Sequence, residues 1–225
     1  SERYEESIGY TAADNYLFRY QYLLREIYRR VGDLRGKSVI EFGCGPGVVV
    51  EILRRLGGVE VSGVEIDHRF VTFAQKHNIP LIQGTLMQVP VELASKSFDL
   101  TFSNWFLDAL ATIETKPDNS LKYRHLDQNE KLKVLGIIAA LTSPGALSMH
   151  ATCYSMPFTK TEFKQAGFKV VKYNRDRTLV ILRKEFSSSP IETNIHPYWR
   201  QREWKWEKPD MSVFEKPRRL LPPRR

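Results

Sequence analysis

Between Asn15 and Val31 the apolar positions Tyr16, Tyr20, Leu23, Leu24, Ile27 and Val31 recur at helical spacing, with Arg and Glu between them. That stripe predicts an amphipathic helix. Gly32 and Gly36 punctuate its end, and the pattern then changes to short apolar runs bounded by turn residues. Strands are predicted at Ser38 to Phe42, Val59 to Val64, Pro80 to Gln83, Phe98 to Phe102, Ala146 to Cys153, Phe168 to Tyr173 and Thr178 to Arg183. Between them helical periodicity returns at Val48 to Leu56, at His68 to about Lys76 behind the N-cap candidate Asp67, and at Glu130 to Leu141. Thr159 and Glu162 form a capping box that opens a further helix closed by Gly167, and Ser143-Pro144-Gly145 predicts a turn before the fifth strand.

Strands alternating with helices predict an α/β fold: a three-layer sandwich around a seven-stranded, mostly parallel sheet. The last two strands are separated only by the polar turn Asn174 to Arg177, so the final strand must be antiparallel. Three regions follow: an N-terminal helical cap or lid at 1–35, the α/β domain at 36–185 and an irregular tail at 186–225.

Composition adds limits. The chain has 225 residues, with 42% hydrophobic and 27% charged positions, values that exclude wholesale disorder or a rod. No apolar run approaches the roughly 18–20 residues needed to cross a bilayer. Cys44 and Cys153 are too few for a disulfide framework or a four-ligand zinc site. A reducing cytoplasm is the expected compartment, no metal is expected, and no membrane partner. The net charge is +8, and residues 186–225 hold nine Lys/Arg against five Asp/Glu, so half of that excess sits in the tail. Three of the four tryptophans and six of the twelve prolines lie there too, which is why the boundary is drawn at Glu185/Phe186.

The first strand delivers Glu41-Phe-Gly-Cys-Gly-Pro-Gly47, and the loop opens directly into a helix. Three glycines in five residues permit a tight turn and close backbone approach to a ligand, beside free helix N–H groups. A dinucleotide fingerprint would need glycine at 48, where the chain has Val48. A P-loop is excluded because Gly36-Lys37-Ser38 precedes the strand and Val31 stands where its first glycine belongs. The acid Glu41 before the loop repels a pyrophosphate and suits an ammonium group. Eighteen residues beyond Gly47 the second strand ends in Glu65, placed to accept from both hydroxyls of a ribose. A ribose plus an amino-acid ammonium, without phosphate, describes S-adenosylmethionine.

With those residues in view, the chain resembles the class I, Rossmann-like S-adenosylmethionine-dependent methyltransferases. "VIEFGCGPG" looks like their first motif, "VSGVEID" the acidic end of their second strand and "SFDLTFSNWFLDAL" their fourth-strand motif. "SPGALSMHA" and "TEFKQAGFKVVKY" resemble the approaches to strands five and six. The five pieces fall in family order across Gly36 to Glu185. The resemblance implies that Gly43, Cys44, Gly45 and Gly47 line the methionine and ribose side and that Glu41 holds the amino group. It implies that Glu65 takes the ribose hydroxyls, Ile66 packs on adenine, Thr85 and Leu86 flank the adenine, and Asn104 and Trp105 lie beside the donor sulfur. S-adenosylhomocysteine would be the product. "QGTL" departs from the family, which often has Asp at the position of Thr85.

The acceptor side is less legible. Many small-molecule members carry a histidine shortly after the fourth strand; Ala109 matches that position here. Asp108, His150 and Tyr154, near the ends of strands four and five, are the candidate catalytic residues. The expected acceptor is a small molecule, natural product or peptide. RNA or protein methylation, with the tail gripping the substrate, is the alternative; a non-catalytic S-adenosylmethionine-binding scaffold is the third reading. The tail itself supports two readings. Trp199, Trp204 and Trp206 interleaved with Arg200, Arg202 and Lys205 match a single-stranded nucleic-acid grip. The same residues suit wrapping of the fold or of a partner subunit in a homo-oligomer, and wrapping is the expected outcome.

Overall fold

A computed structural model describes residues 12–57, 60–86, 91–107, 112–115, 121–124, 126–152, 156–174 and 179–186. All belong to the first of two units into which the chain divides, Ser1–Ile191 and Glu192–Arg225; beyond Phe186 the predicted tail lies outside the described residues. The apolar stripe of the first helix, α1 (Ala12–Val31), is buried at Tyr20, Leu23 and Ile27, one turn apart on one face. Strand β1 (Ser38–Phe42) and helix α2 (Val48–Gly57) flank the glycine loop. Strand β2 (Glu60–Glu65), helix α3 (His68–Lys76) and strand β3 (Leu81–Gln83) follow. Asp67 caps α3 by accepting from the Arg69 N–H at 2.9 Å, as its position before the apolar run predicts.

Strand β4 (Phe98–Asn104) is followed by a pair that the polar composition of this region did not announce. Strands β5 (Thr112–Thr115) and β6 (Leu121–Arg124) form a separate antiparallel hairpin. Helix α4 (Gln128–Leu141) starts two residues earlier than its apolar period suggested. Asp127 and Glu130 make a capping box there, each accepting the other's backbone N–H at 2.9 Å. Strand β7 (Thr142–Ala151) begins directly after α4, so the expected Ser143-Pro144-Gly145 turn lies inside the strand. The register explains this: Phe98 faces Thr142 and Leu100 faces Leu147, so the turn is accommodated as a bulge on β7. Helix α5 (Lys160–Gln165), with its Thr159–Glu162 capping box, precedes strands β8 (Phe168–Asn174) and β9 (Leu179–Lys184).

The seven-stranded sheet has the order β3-β2-β1-β4-β7-β9-β8. Pairings from β3 to β7 are parallel, and β9 runs antiparallel to both neighbours, as predicted. Side chains alternate between the faces. Val39, Val61, Leu100, Phe102, Met149 and Ile181 pack with Leu23, Ile27, Val49, Val50 and Leu53 from α1 and α2. Ile40, Phe42, Val64, Val180 and Leu182 pack with Val134, Leu135, Ile138 and Phe163 from α4 and α5. The three-layer sandwich is therefore built from two separate cores. No helix among the described residues is long and apolar enough to cross a membrane.

Helix α1 is also fixed by charge. Glu26, almost wholly buried, accepts from Arg29 and Arg30 on its own helix at 3.0 Å each and from Lys172 of β8 at 3.1 Å. Burial opposes ionisation of Glu26, but these three hydrogen bonds together hold its pKa down at about 2.

Candidate active site

Strand order reverses where β1 lies between β2 and β4, so the carboxyl ends of these three strands open a crevice at the switch point. There the loop 43–47 turns back on itself. The Gly43 and Cys44 N–H groups donate to the Val64 carbonyl at 2.8 and 3.3 Å, and the Gly47 N–H donates to the Cys44 carbonyl at 3.0 Å. Gly43 and Gly47 have φ of 65° and 78°. A Cβ on Gly43 would collide with the Phe106 ring, and one on Gly47 would lie 2.8 Å from Ile79 Cγ2. Backbone alone fits here, which leaves the loop as a cradle.

Glu65, at the end of β2, closes the cradle. Its Oε2 accepts from the Gly45 N–H at 2.7 Å, and its Oε1 accepts from the Ile66 and Asp67 N–H groups at 2.8 and 2.9 Å. Three backbone donors hold a carboxylate that still has acceptor capacity toward the crevice. A cavity of about 210 Å³ lies beside it, lined by Gly43, Gly45 and Glu65, by Asn104 and Trp105 at the end of β4, and by Tyr20 and Phe70. A larger, more open recess of about 350 Å³ is lined by Lys169, Arg183, Lys184, Glu185 and Phe186. The pairing of Leu147 with Arg183 puts that recess at the amino ends of the parallel strands, away from the switch point.

Glu41 sits behind the cradle, fully buried. Tyr20 donates its hydroxyl to Glu41 Oε1 at 2.5 Å, while Glu41 Oε2 has no partner. Burial pushes the Glu41 pKa up to about 8; the Tyr20 hydrogen bond opposes this and the Glu65 charge adds to it. Asn104 Oδ1 is likewise buried without a partner. Trp105 holds φ at 58°, a left-handed conformation costly for a bulky residue, and its N–H donates to the Ala151 carbonyl at 2.7 Å.

Five predicted residues thus line one cavity: Gly43, Gly45, Glu65, Asn104 and Trp105; Glu41 joins it through the Tyr20 hydroxyl, and Gly47 closes the loop behind it. Ile66 is half exposed, beside Glu65 in the chain. Cys44 contributes backbone only; its thiol packs inward 3.6 Å from the Val64 carbonyl, and burial pushes its pKa up. Thr85 is half-buried, and Leu86 is buried in the core on the α4 side of the sheet. His150 lies in the interior of the sheet, hydrogen-bonded to Ser103 Oγ at 2.8 Å and to Ser148 Oγ at 2.7 Å. Burial pushes its pKa down to about 3. Asp108 and Tyr154 lie outside the described residues. Tyr20, expected as an apolar position of the first helix within the N-terminal cap or lid, and Phe70, which was not singled out, complete the cavity.

The residues fit S-adenosylmethionine on two counts: a loop whose backbone lines the cavity, with no room for a Cβ at Gly43 or Gly47, and an orphaned buried carboxyl oxygen behind it, suited to an ammonium. Residues 40–122 match the family model described as a methyltransferase domain. The chain is 28% identical over 123 residues to a ubiquinone biosynthesis O-methyltransferase of Neisseria meningitidis, covering 48% of this chain and 52% of that protein. It is 46% identical over 46 residues to a ribosomal protein L11 methyltransferase of Aliivibrio salmonicida, covering 20% of this chain and 15% of the relative. The chain thus spans only about half, or less, of these curated relatives. Among solved structures, Streptomyces venezuelae DesVI shares the fold with a TM-score of 0.55 at 12% identity, over 82% of this chain and 96% of that one. The motif order, the 3-2-1-4 half-sheet and the antiparallel last strand agree with the class I fold of S-adenosylmethionine-dependent methyltransferases, and residues 40–122 carry the match to a methyltransferase domain.

Proposed function

We propose that this chain transfers a methyl group from S-adenosylmethionine to a small-molecule acceptor. The observation that carries the reading is Glu41, a fully buried carboxyl with one oxygen unpaired beside a glycine cradle. Leaving such an atom without a partner costs about 1–3 kcal/mol, a cost that a bound ammonium would remove. Glu65 would add the ribose hydroxyls to the three N–H groups it already holds. The exposed face of Ile66 offers an apolar surface for adenine. When bound, the cofactor supplies an activated methyl carbon on a sulfonium; the protein's part is to orient the acceptor and exclude water.

Trp105 and Asn104 are the cavity residues placed to do that, with Asn104 Oδ1 available to an acceptor's N–H or O–H. His150 is not used, because both of its ring nitrogens are engaged inside the sheet. A base is required only for an acceptor that is protonated at the reacting atom. The similarity to the ubiquinone O-methyltransferase supports a small-molecule acceptor. The short matches to L11 methyltransferases favour a protein acceptor as the second reading, with less of the chain behind it.

The test has two steps. Calorimetry should show S-adenosylhomocysteine binding in the micromolar range and NAD not binding. Incubation with methyl-labelled S-adenosylmethionine and separated small-molecule, protein and RNA fractions should then place the label in the small-molecule fraction. Label in protein or RNA would replace the acceptor, and binding without label in any fraction would favour the scaffold reading. No adenosyl ligand binding at all would overturn the proposal.

A further inference from the structure

The glycine cradle and its acids belong to β1 and β2, but one polar atom in the cavity wall comes from elsewhere in the chain. Tyr20 is on α1, 21 positions before Glu41, and is 2% exposed. We infer that Tyr20 is a positioning residue: its hydroxyl fixes Glu41 Oε1 and leaves Oε2 as the oxygen offered to the cofactor's ammonium, so that α1 docking and cofactor binding support one another. This inference rests on the cofactor reading above.

Three observations carry it. First, the hydrogen bond is short, 2.5 Å, between two buried side chains, and it is the one that Glu41 makes while Oε2 stays unpaired. A carboxyl held at one oxygen has lost its freedom to rotate, so the free oxygen points one way. Second, Tyr20 cannot easily follow a moving ligand, because α1 is held along the same face. Leu23 and Ile27 are buried against the sheet, and Glu26 binds Lys172 of β8 at 3.1 Å. Third, among the described residues the ionisable groups that face Glu41 are Tyr20 from α1, Glu65 from β2 and Cys44 from the loop, none of them a cation. A ligand ammonium would supply the counter-charge that ionises Glu41. Once it has, the Tyr20 bond becomes a hydrogen bond to a carboxylate, roughly twice as strong as a neutral one. Binding would thus tighten α1 against the sheet, and α1 docking would in turn strengthen binding.

The experiment uses the full chain and two probes, S-adenosylhomocysteine, which carries the ammonium, and 5′-methylthioadenosine, which lacks the whole amino-acid arm. Affinities are measured by calorimetry for the parent, Tyr20→Phe, Glu41→Gln and the double variant, with a thermal melt to confirm folding. Tyr20→Phe should weaken S-adenosylhomocysteine about tenfold or more and leave methylthioadenosine within about twofold. In the Glu41→Gln background the same change should have almost no further effect, because Tyr20 acts through Glu41. Equal losses for both probes, no loss for either, or additive losses in the double variant would overturn the positioning role while leaving the cofactor reading intact. If Tyr20→Phe fails to fold, Glu41→Gln alone decides: it must lose S-adenosylhomocysteine selectively, or the inference falls. If neither probe binds the parent, the cofactor reading fails first and this inference falls with it.

Discussion

Glu41 on β1 and His150 on β7 are both fully buried, and burial drives both toward the neutral form, yet they are finished differently. They lie two strands apart on opposite faces of the sheet. His150 has a partner on each ring nitrogen, and its chain continues from Ser148 to Thr101 at 2.6 Å and on to Thr142 at 3.0 Å. Thr142 in turn donates to the Ile138 carbonyl, which closes the network onto α4. Glu41 has one oxygen satisfied and the other unpaired. A buried polar group whose partners are all supplied by the protein joins β4 to β7 and asks nothing of a ligand. One that keeps an open position inside the fold carries a cost that binding can relieve. The difference separates two candidates that looked alike as strand-end titratable residues in the sequence.

The comparison breaks most sharply at His150. His150→Ala should leave the Ser103 hydroxyl unpaired and a void behind it, costing about 2–4 kcal/mol. For a chain of this size that is a loss of roughly 5–15 °C in melting temperature. S-adenosylhomocysteine affinity measured below the melting range should stay within about twofold. A large loss of affinity with little change in melting would move His150 from the frame to the site. Glu65→Ala tests the other side. Losing hydrogen bonds to a charged group costs about 1.5–3 kcal/mol, a 10- to 150-fold weaker cofactor. Glu65→Gln should lose less, because it keeps one acceptor for the Gly45 N–H. Parent-like affinity in Glu65→Ala would remove the ribose assignment.

Most of the frame was legible because its signals are local. Alternating short apolar runs and helical stripes gave seven strands in the right places, and Asp67 and Thr159–Glu162 marked helix starts by their own chemistry. The misses are also physical. The strands of the β5–β6 hairpin are only four residues long, so the alternation of Ile113, Leu121 and Tyr123 with Thr112, Glu114, Lys122 and Arg124 is too short to stand out in a polar stretch. The Ser143-Pro144-Gly145 turn reads as a strand boundary, but pairing with β4 continues on both sides of it. In the site, Glu41 and Glu65 were legible from their spacing around the glycines. Tyr20 and Phe70 were not, since their arrival at the cavity depends on how α1 and α3 pack. That His150 is enclosed rather than exposed depends on Ser103 across the β4–β7 register, which no single-strand pattern reveals.

Acid and base conditions sharpen the comparison further. The folded pKa of Glu41 is about 8, above its ordinary 4.5, so between those values the unfolded chain has released a proton that the folded chain keeps. Its contribution to stability is present below about pH 4.5 and is lost as pH rises toward 8, at up to about 1.4 kcal/mol per unit. Glu41→Gln removes this loss. Its melting temperature should therefore gain on the parent as pH goes from 5 to 8, and a difference that stays flat would mean Glu41 is already ionised in the folded chain.

Glu26 should show the opposite sign and a smaller effect. Its folded pKa of about 2 lies below the ordinary 4.5, because Arg29, Arg30 and Lys172 outweigh the cost of burial. Its contribution is present above about pH 4.5 and is lost as pH falls toward 2. Arg29 is largely exposed and Lys172 partly so, so solvent screens the cluster and its worth is about 1–2 kcal/mol rather than that of a sealed ion pair. Glu26→Gln should thus melt a few degrees below the parent at pH 7, and the gap should close between pH 4.5 and 2. The same variant loosens the far anchor of α1 while leaving Tyr20 and Glu41 untouched. If α1 docking and cofactor binding are linked, S-adenosylhomocysteine should weaken slightly, by about two- to fivefold. Lower stability without any change in affinity would confine the Glu26 cluster to the frame and leave Tyr20 as the contact of α1 that matters to the ligand.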